Sequence, residues 1–436
     1  MLEPIRYTST SRDQKLRDIL SRRIEFTPEL EATVNHIVSE VEAKGDSAVL
    51  SFTKEFDGVD LSADQLIVTP DELDAAVRKA DPALVQVIEK AAANIRRFHE
   101  VQKKPSWFVE DGDGVILGKR IVPIERVGLL VPGASAPLFS TLLMAAIPAR
   151  IAGVPHIAVA TPPQPDGDIH PAVLTAAKIA GVDRVYRAFG AQAVAALAFG
   201  TKTFTRVDKL VGPGHPVVQI AKKRVFGLVG IDTIAGPSEI VVIADHTAVP
   251  RHVAADMLSQ AEHGSGYEAA VCITPDPDIA AAVAEELEKQ LVDLSHREAA
   301  EQALSRYGAI VVVDDLPQAI SLVNEIAPEH VELIVEDPWG LQTGIRNAGA
   351  IFLGAASSEP VGDYFAGTNH ILPTAGAARY ASSVGVDTFL KEISLISYTD
   401  ERLRKSAGAI MQMAEAEGLD GHANAIRVRL QSPEIE

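Results

Sequence analysis

From residue 127 onward the chain alternates short apolar runs with helix-length segments, and that alternation leaves few folds open to it. Val127-Gly128-Leu129-Leu130-Val131 leads through a turn, Pro132 to Pro137, into a helical stretch from Leu138 to Ala152. Strand Ile157 to Ala160, helix Pro171 to Ala180, strand Arg184 to Tyr186, helix Ala191 to Ala198, strand Lys209 to Val211 and helix Pro216 to Arg224 repeat the pattern. A second series runs from strand Ile240 to Ala244 through helix 250–263, strand 269–273, helices 277–290 and 297–306, strand Ala309 to Val313, helix Leu316 to Ile326, strand Val331 to Val335 and the run Ala350 to Gly354. Parallel strands need long crossovers, and helices are the usual ones. The chain therefore reads as α/β, with two Rossmann-like parallel-sheet domains that divide near residue 237.

The ends read as helix. Leu30, Val34, Ile37, Val38 and Val41 recur at helical spacing, and Pro70-Asp71-Glu72 opens another helix with proline and acids in its first turn. The expected organisation is a helical arm over 1–24, then a helical segment over 25–107. That segment is expected to pack with 237–377 as one discontinuous domain carrying the candidate chemistry. The other α/β domain covers 108–236. A helical tail, a candidate for exchange between subunits, covers 378–436.

At 436 residues more than one core is expected. Lys and Arg number 40 against 59 Asp and Glu, a net charge of −19, which argues against nucleic acid or an anionic membrane as the main partner. The single cysteine, Cys272, lies in the apolar run Ala269 to Ile273 and reads as a core residue. No disulfide within the chain is possible, which suits a reducing compartment. The start of the sequence lacks the apolar core of a signal peptide, and Pro148 and Arg150 break the apolar run around Leu142 to Ile147. A cytoplasmic location is expected.

Chemistry-bearing residues fall in a few short stretches. Ser259-Gln260-Ala261-Glu262-His263 closes a helix just before Gly264, and Gln260 and His263, three apart, share a face. A solvated helix end and half of a metal site both fit that pattern. Glu329-His330 stands at the entrance of a strand, where both side chains can reach one cleft as a general-base pair or simply decorate a surface. Asp363 and His370 flank Gly367-Thr368-Asn369 in a polar loop, and Glu417 and His422 bracket Gly418 to Gly421. Gln260, His263, Asp363 and His422 together form an N/O set suited to Zn²⁺ or another borderline divalent ion, in an open site rather than a closed thiolate one. Ser238 precedes a buried strand and reads as either a turn residue or a ligand contact. Glycines at 128 and 133, at 212 and 214, and at 190 punctuate strand ends of the first domain, as structural turns or as phosphate cradles.

In these contexts the chain resembles the histidinol dehydrogenases. The resemblance covers Val127 to Ala425 and is carried by Pro132 to Thr141, Ala235 to Glu239, Ser259 to Gly264, Ala327-Pro328-Glu329-His330 and Gly362 to Thr374. Ser-Gln-Ala-Glu-His-Gly and Gly-Thr-Asn-His-x-Leu-Pro-Thr are its most specific parts. It implies a zinc- and NAD-dependent oxidation of L-histidinol to L-histidine through the aldehyde, in a homodimer. Gln260, His263, Asp363 and His422 would hold zinc, with His422 a candidate for supply by the other subunit. Glu329 and His330 would be the acid–base pair. Ser238, His370 and Glu417, with Gln260, His263, His330, Asp363 and His422, would contact substrate. The NAD side would be 108–236, with Leu130, Gln192 and His215 at cofactor-contacting positions. Leu130 stands where the family usually has Tyr, and His215 where it has Asn after Gly-Pro-Gly. The runs Gly133-Ala134-Ser135 and Phe189-Gly190-Ala191-Gln192 also depart from the family's double-glycine forms. A dehydrogenase of another polar alcohol or diol, and a metal-binding relative without catalysis, are the competing expectations.

Overall fold

The computed structural model describes residues 2–7, 14–22, 24, 26–133 and 137–431. Ala134, Ser135 and Ala136 of the expected turn lie outside them. The chain forms two compact units, one of Met1–Gln102 with Ile124–Phe389, the other of Lys103–Pro123 with Leu390–Glu436.

The larger unit holds two parallel sheets, as the strand–helix alternation implies. One has six strands in the order Ile5–Arg6, Gly308–Val312, Ala269–Thr274, Glu239–Ala244, His330–Ile334, Ala350–Leu353. Its central strands are buried and largely apolar because both faces are covered. Ile240, Val242 and Ala244 point to one layer, with Val253, Met257 and Val283, while Val241 and Ile243 point to the other, with Leu322 and Val323. Cys272 lies fully buried in the first layer, and burial pushes its thiol up to about 12, so it is an inert core residue. Two of the helices around this sheet start on side-chain caps: Asp276 accepts from the amides of Asp278 and Ile279, and Asp315 from Gln318, each with a proline in the first turn.

The second sheet has five strands in the order Arg184–Arg187, His156–Thr161, Arg126–Leu130, Lys209–Val211, Gly230–Ile231. Helices of the expected segment 25–107 pack here, Pro28–Lys44 on Ala191–Phe199 and Pro216–Val225, while Asn94 Nδ2 also donates to the Phe365 carbonyl of 237–377 at 2.8 Å. The stripe Val34, Ile37, Val38 and Val41 meets Val194, Leu197 and Val218 on the helices Ala191–Phe199 and Pro216–Val225. Ala191–Phe199 brings alanines to its surface and admits a neighbour closely. Gly212 shows how tightly the strand ends are drawn together. Its φ is +129° and a Cβ there would meet the Leu130 carbonyl oxygen at 2.3 Å, so only glycine fits.

The smaller unit departs from the expected helical tail. Leu390–Tyr398 is a strand, paired antiparallel along its length with Val115–Pro123, which in turn pairs with Trp107–Glu110. Residues 108–123 therefore lie apart from the rest of the 108–236 α/β domain they were expected to belong to. Helices Asp400–Ala416 and Asp420–Gln431 complete this unit.

Candidate active site

The amino ends of two neighbouring strands bring the acid–base candidates together. Glu329 and His330 enter strand His330–Ile334 beside Glu239, the first residue of strand Glu239–Ala244. Glu239 binds both of them. Its backbone N–H donates to Glu329 Oε2 at 3.0 Å, its own Oε2 accepts from the Glu329 amide at 3.2 Å, and its carbonyl oxygen lies 3.0 Å from His330 Nδ1. A carbonyl can only accept, so Nδ1 carries the proton and Nε2 keeps a lone pair. That Nε2 is buried, has no hydrogen-bond partner among the described residues, and stands 3.8 Å from Asp363 Oδ1. Burial pulls the His330 imidazole down to about 3 despite its bond to Glu239, so the ring is neutral at ordinary pH. Glu329 moves the other way: burial first, then the nearby charge of Glu239, hold its carboxyl well above the usual range.

Helix Pro250–Ala261 ends at the same place. His263 Nδ1 lies 3.1 Å from the Gln260 carbonyl oxygen, which orients the ring and leaves Nε2 for a ligand. Gln260 Oε1 is fully buried with no donor among the described residues. An unsatisfied buried acceptor costs about 1–3 kcal/mol, and a cation would remove that cost. Asp363 comes from the short helix Glu359–Tyr364. Its neighbour Glu359, one helical turn earlier, is buried, hydrogen-bonds to Asp363, and accepts from Ser259 Oγ at 3.2 Å. Burial and then Asp363 push Glu359 up to about 8, while burial takes Asp363 only to about 6. His330, Glu359 and Asp363 offer ligand-capable atoms that all lie within 4.8 Å of one another. Gln260, His263 and Asp363 fit a divalent cation by donor type and by the orphaned Oε1. The sequence reading missed Glu359, although its spacing of four from Asp363 on one helix was a usable signal.

His370 faces this group from the loop. Its Nδ1 lies 2.9 Å from the Asp363 carbonyl oxygen and its Nε2 3.1 Å from Thr141 Oγ1, and burial lowers its imidazole to about 4. Asn369 Nδ2 donates to the Met144 carbonyl at 2.6 Å, so the loop is tied to helix Phe139–Ala152 of the five-stranded sheet. Ser238, half-buried, directly precedes Glu239. Glu417 and His422 belong to the smaller unit, where both are exposed, Glu417 at a helix end and His422 within the last helix.

The three expected cofactor positions follow carboxyl ends of strands in the five-stranded sheet, where α/β proteins bind nucleotides. Leu130 ends its strand with a side chain wholly inside the core, so it offers a ligand only backbone. Gln192 is buried in the first turn of Ala191–Phe199, after Gly190 with φ +84°. His215 is exposed at the start of Pro216–Val225. The turn before it is rigid. Asp232 Oδ2 accepts from the Gly212 amide at 2.8 Å, and buried Lys222 spans 2.5 Å to Asp232 and 3.0 Å to the Gly212 carbonyl.

Behind the site, Glu332 faces Asp256 from the middle of strand His330–Ile334. Burial, then the charge of Asp256, push its carboxyl from 4.5 up to about 9. A folded pKa above the unfolded one contributes stability below about pH 4.5 and loses it as the pH climbs toward 9. Glu332→Gln abolishes that loss and keeps the acceptor for the Glu359 amide, now at 2.6 Å. The variant is expected to be more stable than the parent by several kcal/mol at pH 8 and by only about 1 kcal/mol at pH 5. Urea unfolding at the two pH values checks this.

Comparison with known proteins agrees with the geometry. The family profile described as histidinol dehydrogenase matches residues 20–430. The chain is 51% identical over 402 residues to a histidinol dehydrogenase of Synechococcus, covering 92% of each chain, and 52% identical over 404 residues to histidinol dehydrogenase 2 of Nostoc, covering 93% of each. The crystal structure of histidinol dehydrogenase from Elizabethkingia anophelis superposes with a TM-score of 0.92 at 38% identity, over 99% of this chain and 98% of that one. No helix among the described residues is long and apolar enough to cross a membrane. The chain belongs to the histidinol dehydrogenase family of oxidoreductases.

Proposed function

We propose that the protein oxidises L-histidinol to L-histidine through L-histidinal, consuming one water and two NAD⁺ and releasing two NADH and three protons. The observation that carries this reading is the neutral His330 ring, proton-fixed on Nδ1 by Glu239 and bare on Nε2. Such an atom takes the hydroxyl proton of an alcohol as hydride leaves the carbon. Glu329, buried beside it and holding its proton more tightly than a free carboxyl, would act as the base that deprotonates water for attack on the aldehyde once it has released that proton. His330 then takes the hydroxyl proton of the hydrate in the second oxidation. Gln260, His263, Asp363 and His422 would hold zinc, and Ser238, His370 and Glu417 would complete the substrate contacts. Bound zinc would fix and polarise the substrate while NAD⁺, at the Leu130, Gln192 and His215 edge, accepts the hydrides.

The smaller unit supports a homodimer with shared sites in a cytoplasmic enzyme. Trp107, Phe108, Val109, Ile396 and Met413 are exposed, an apolar surface suited to a second copy, and His422 lies exposed in the same unit. Stopped-flow NADH formation from histidinol, and separately from histidinal, with Zn²⁺ supplied, tests the function. Turnover of both substrates is expected. Turnover of another diol with none of histidinol would overturn it.

A further inference from the structure

Glu239 and Glu329 are two buried carboxyls that each accept the other's backbone N–H. Two like charges this close in a dry environment repel, and one swings away or is neutralised unless a cation holds it. The cation comes from the far end of the chain. Arg22 Nη1 lies 2.7 Å from Glu239 Oε1, and both side chains are buried. Its Nη2 donates to the carbonyls of Pro237 at 2.9 Å and Tyr267 at 2.8 Å, and its guanidinium lies 5.2 Å from the centre of the Tyr307 ring. Glu239 Oε1 also accepts at 3.0 Å from the amide of Ala375, a non-glycine residue held at φ +51°. One side chain thus fixes the carboxylate that fixes the amide of Glu329, the turn at Ala375 and, through its backbone carbonyl, the tautomer of His330.

We propose that Arg22 is a positioning residue for the acid–base pair: by neutralising and orienting Glu239 it keeps Glu329 and His330 aimed into the site. Arg22 itself touches neither of them. Its effect is on the frame from which they act, so its loss lowers turnover and leaves substrate affinity in place. This rests on the reading of Glu329 and His330 as the pair that performs the oxidation.

Steady-state kinetics on the full-length zinc-loaded enzyme test it, with H330N measured beside R22Q, R22K and R22A. R22Q, folded by circular dichroism, is expected to lose about 100-fold in kcat at unchanged KM for histidinol. R22K restores the charge but not the planar fork, and is expected to have a kcat roughly tenfold above that of R22Q. Millimolar methylguanidine is expected to raise the kcat of R22A and not that of R22K. A folded R22Q with wild-type kcat, or a loss in R22Q that neither lysine nor methylguanidine relieves, overturns the proposal. If R22Q does not fold, R22K decides: a fall in kcat at constant KM upholds the proposal, and a change in KM alone, or none at all, overturns it. If H330N turns over like the wild type, it is the assignment of the pair that fails, whatever Arg22 does.

Discussion

His330→Asn is expected to cut kcat for histidinol oxidation about 1000-fold while leaving the fold and the KM for histidinol close to wild type. The size is that of a lost general base in the middle of its usual range of about 10²–10⁴-fold. Asparagine suits the test. Its amide can still donate toward the Glu239 carbonyl that His330 Nδ1 meets at 3.0 Å, so the strand entrance keeps its anchor. What it lacks is the bare ring nitrogen, which here faces Asp363 at 3.8 Å without a hydrogen-bond partner among the described residues. The neutral ring needs no deprotonation at any pH above about 3, so the acid limb of the wild-type pH profile should belong to another group. Steady-state NADH formation with purified, zinc-loaded variant gives the answer. An Asn variant within tenfold of wild type would remove His330 from the chemistry.

Glu329→Gln is expected to divide the two steps. Histidinal oxidation should fall about 100-fold, and the first oxidation less than about tenfold. The glutamine amide oxygen still accepts the Glu239 N–H that Glu329 Oε2 holds at 3.0 Å, so the backbone frame survives. It cannot take a proton from water, and hydration of the aldehyde is the step that requires this. Separate stopped-flow traces from histidinol and histidinal, with aldehyde trapped from the first reaction, measure the ratio. Equal losses in both steps would show that Glu329 serves the frame rather than the water.

Much of this molecule was legible in its residues. Strand and helix periods marked nearly every element of both parallel sheets, because continuous apolar runs between helices have few other uses. The placement of the helical segment was not legible. Val34, Ile37 and Val41 state that a stripe must be buried but not against which sheet, and helices Ala191–Phe199 and Pro216–Val225 of the five-stranded sheet took it. The strand Leu390–Tyr398 was also missed. Its partner Val115–Pro123 lies far away in sequence, and it is pairing more than local burial that makes it a strand.

At the site the division is sharper. The motifs around Gln260, His263, Glu329, His330 and Asp363 named the chemistry, since only certain side chains can donate lone pairs or move protons. They could not say that Glu239 sets the tautomer of His330, that Glu359 is buried against Asp363, or that Leu130 is wholly enclosed. Nor could they bring Arg22 to Glu239 across 217 positions. The residue types and their local spacing determined which reactions the chain can perform. Which nitrogen is bare, which carboxyls are crowded together and which charge is paired were decided by tertiary structure alone, because desolvation and hydrogen bonding act through space and leave no period in the sequence.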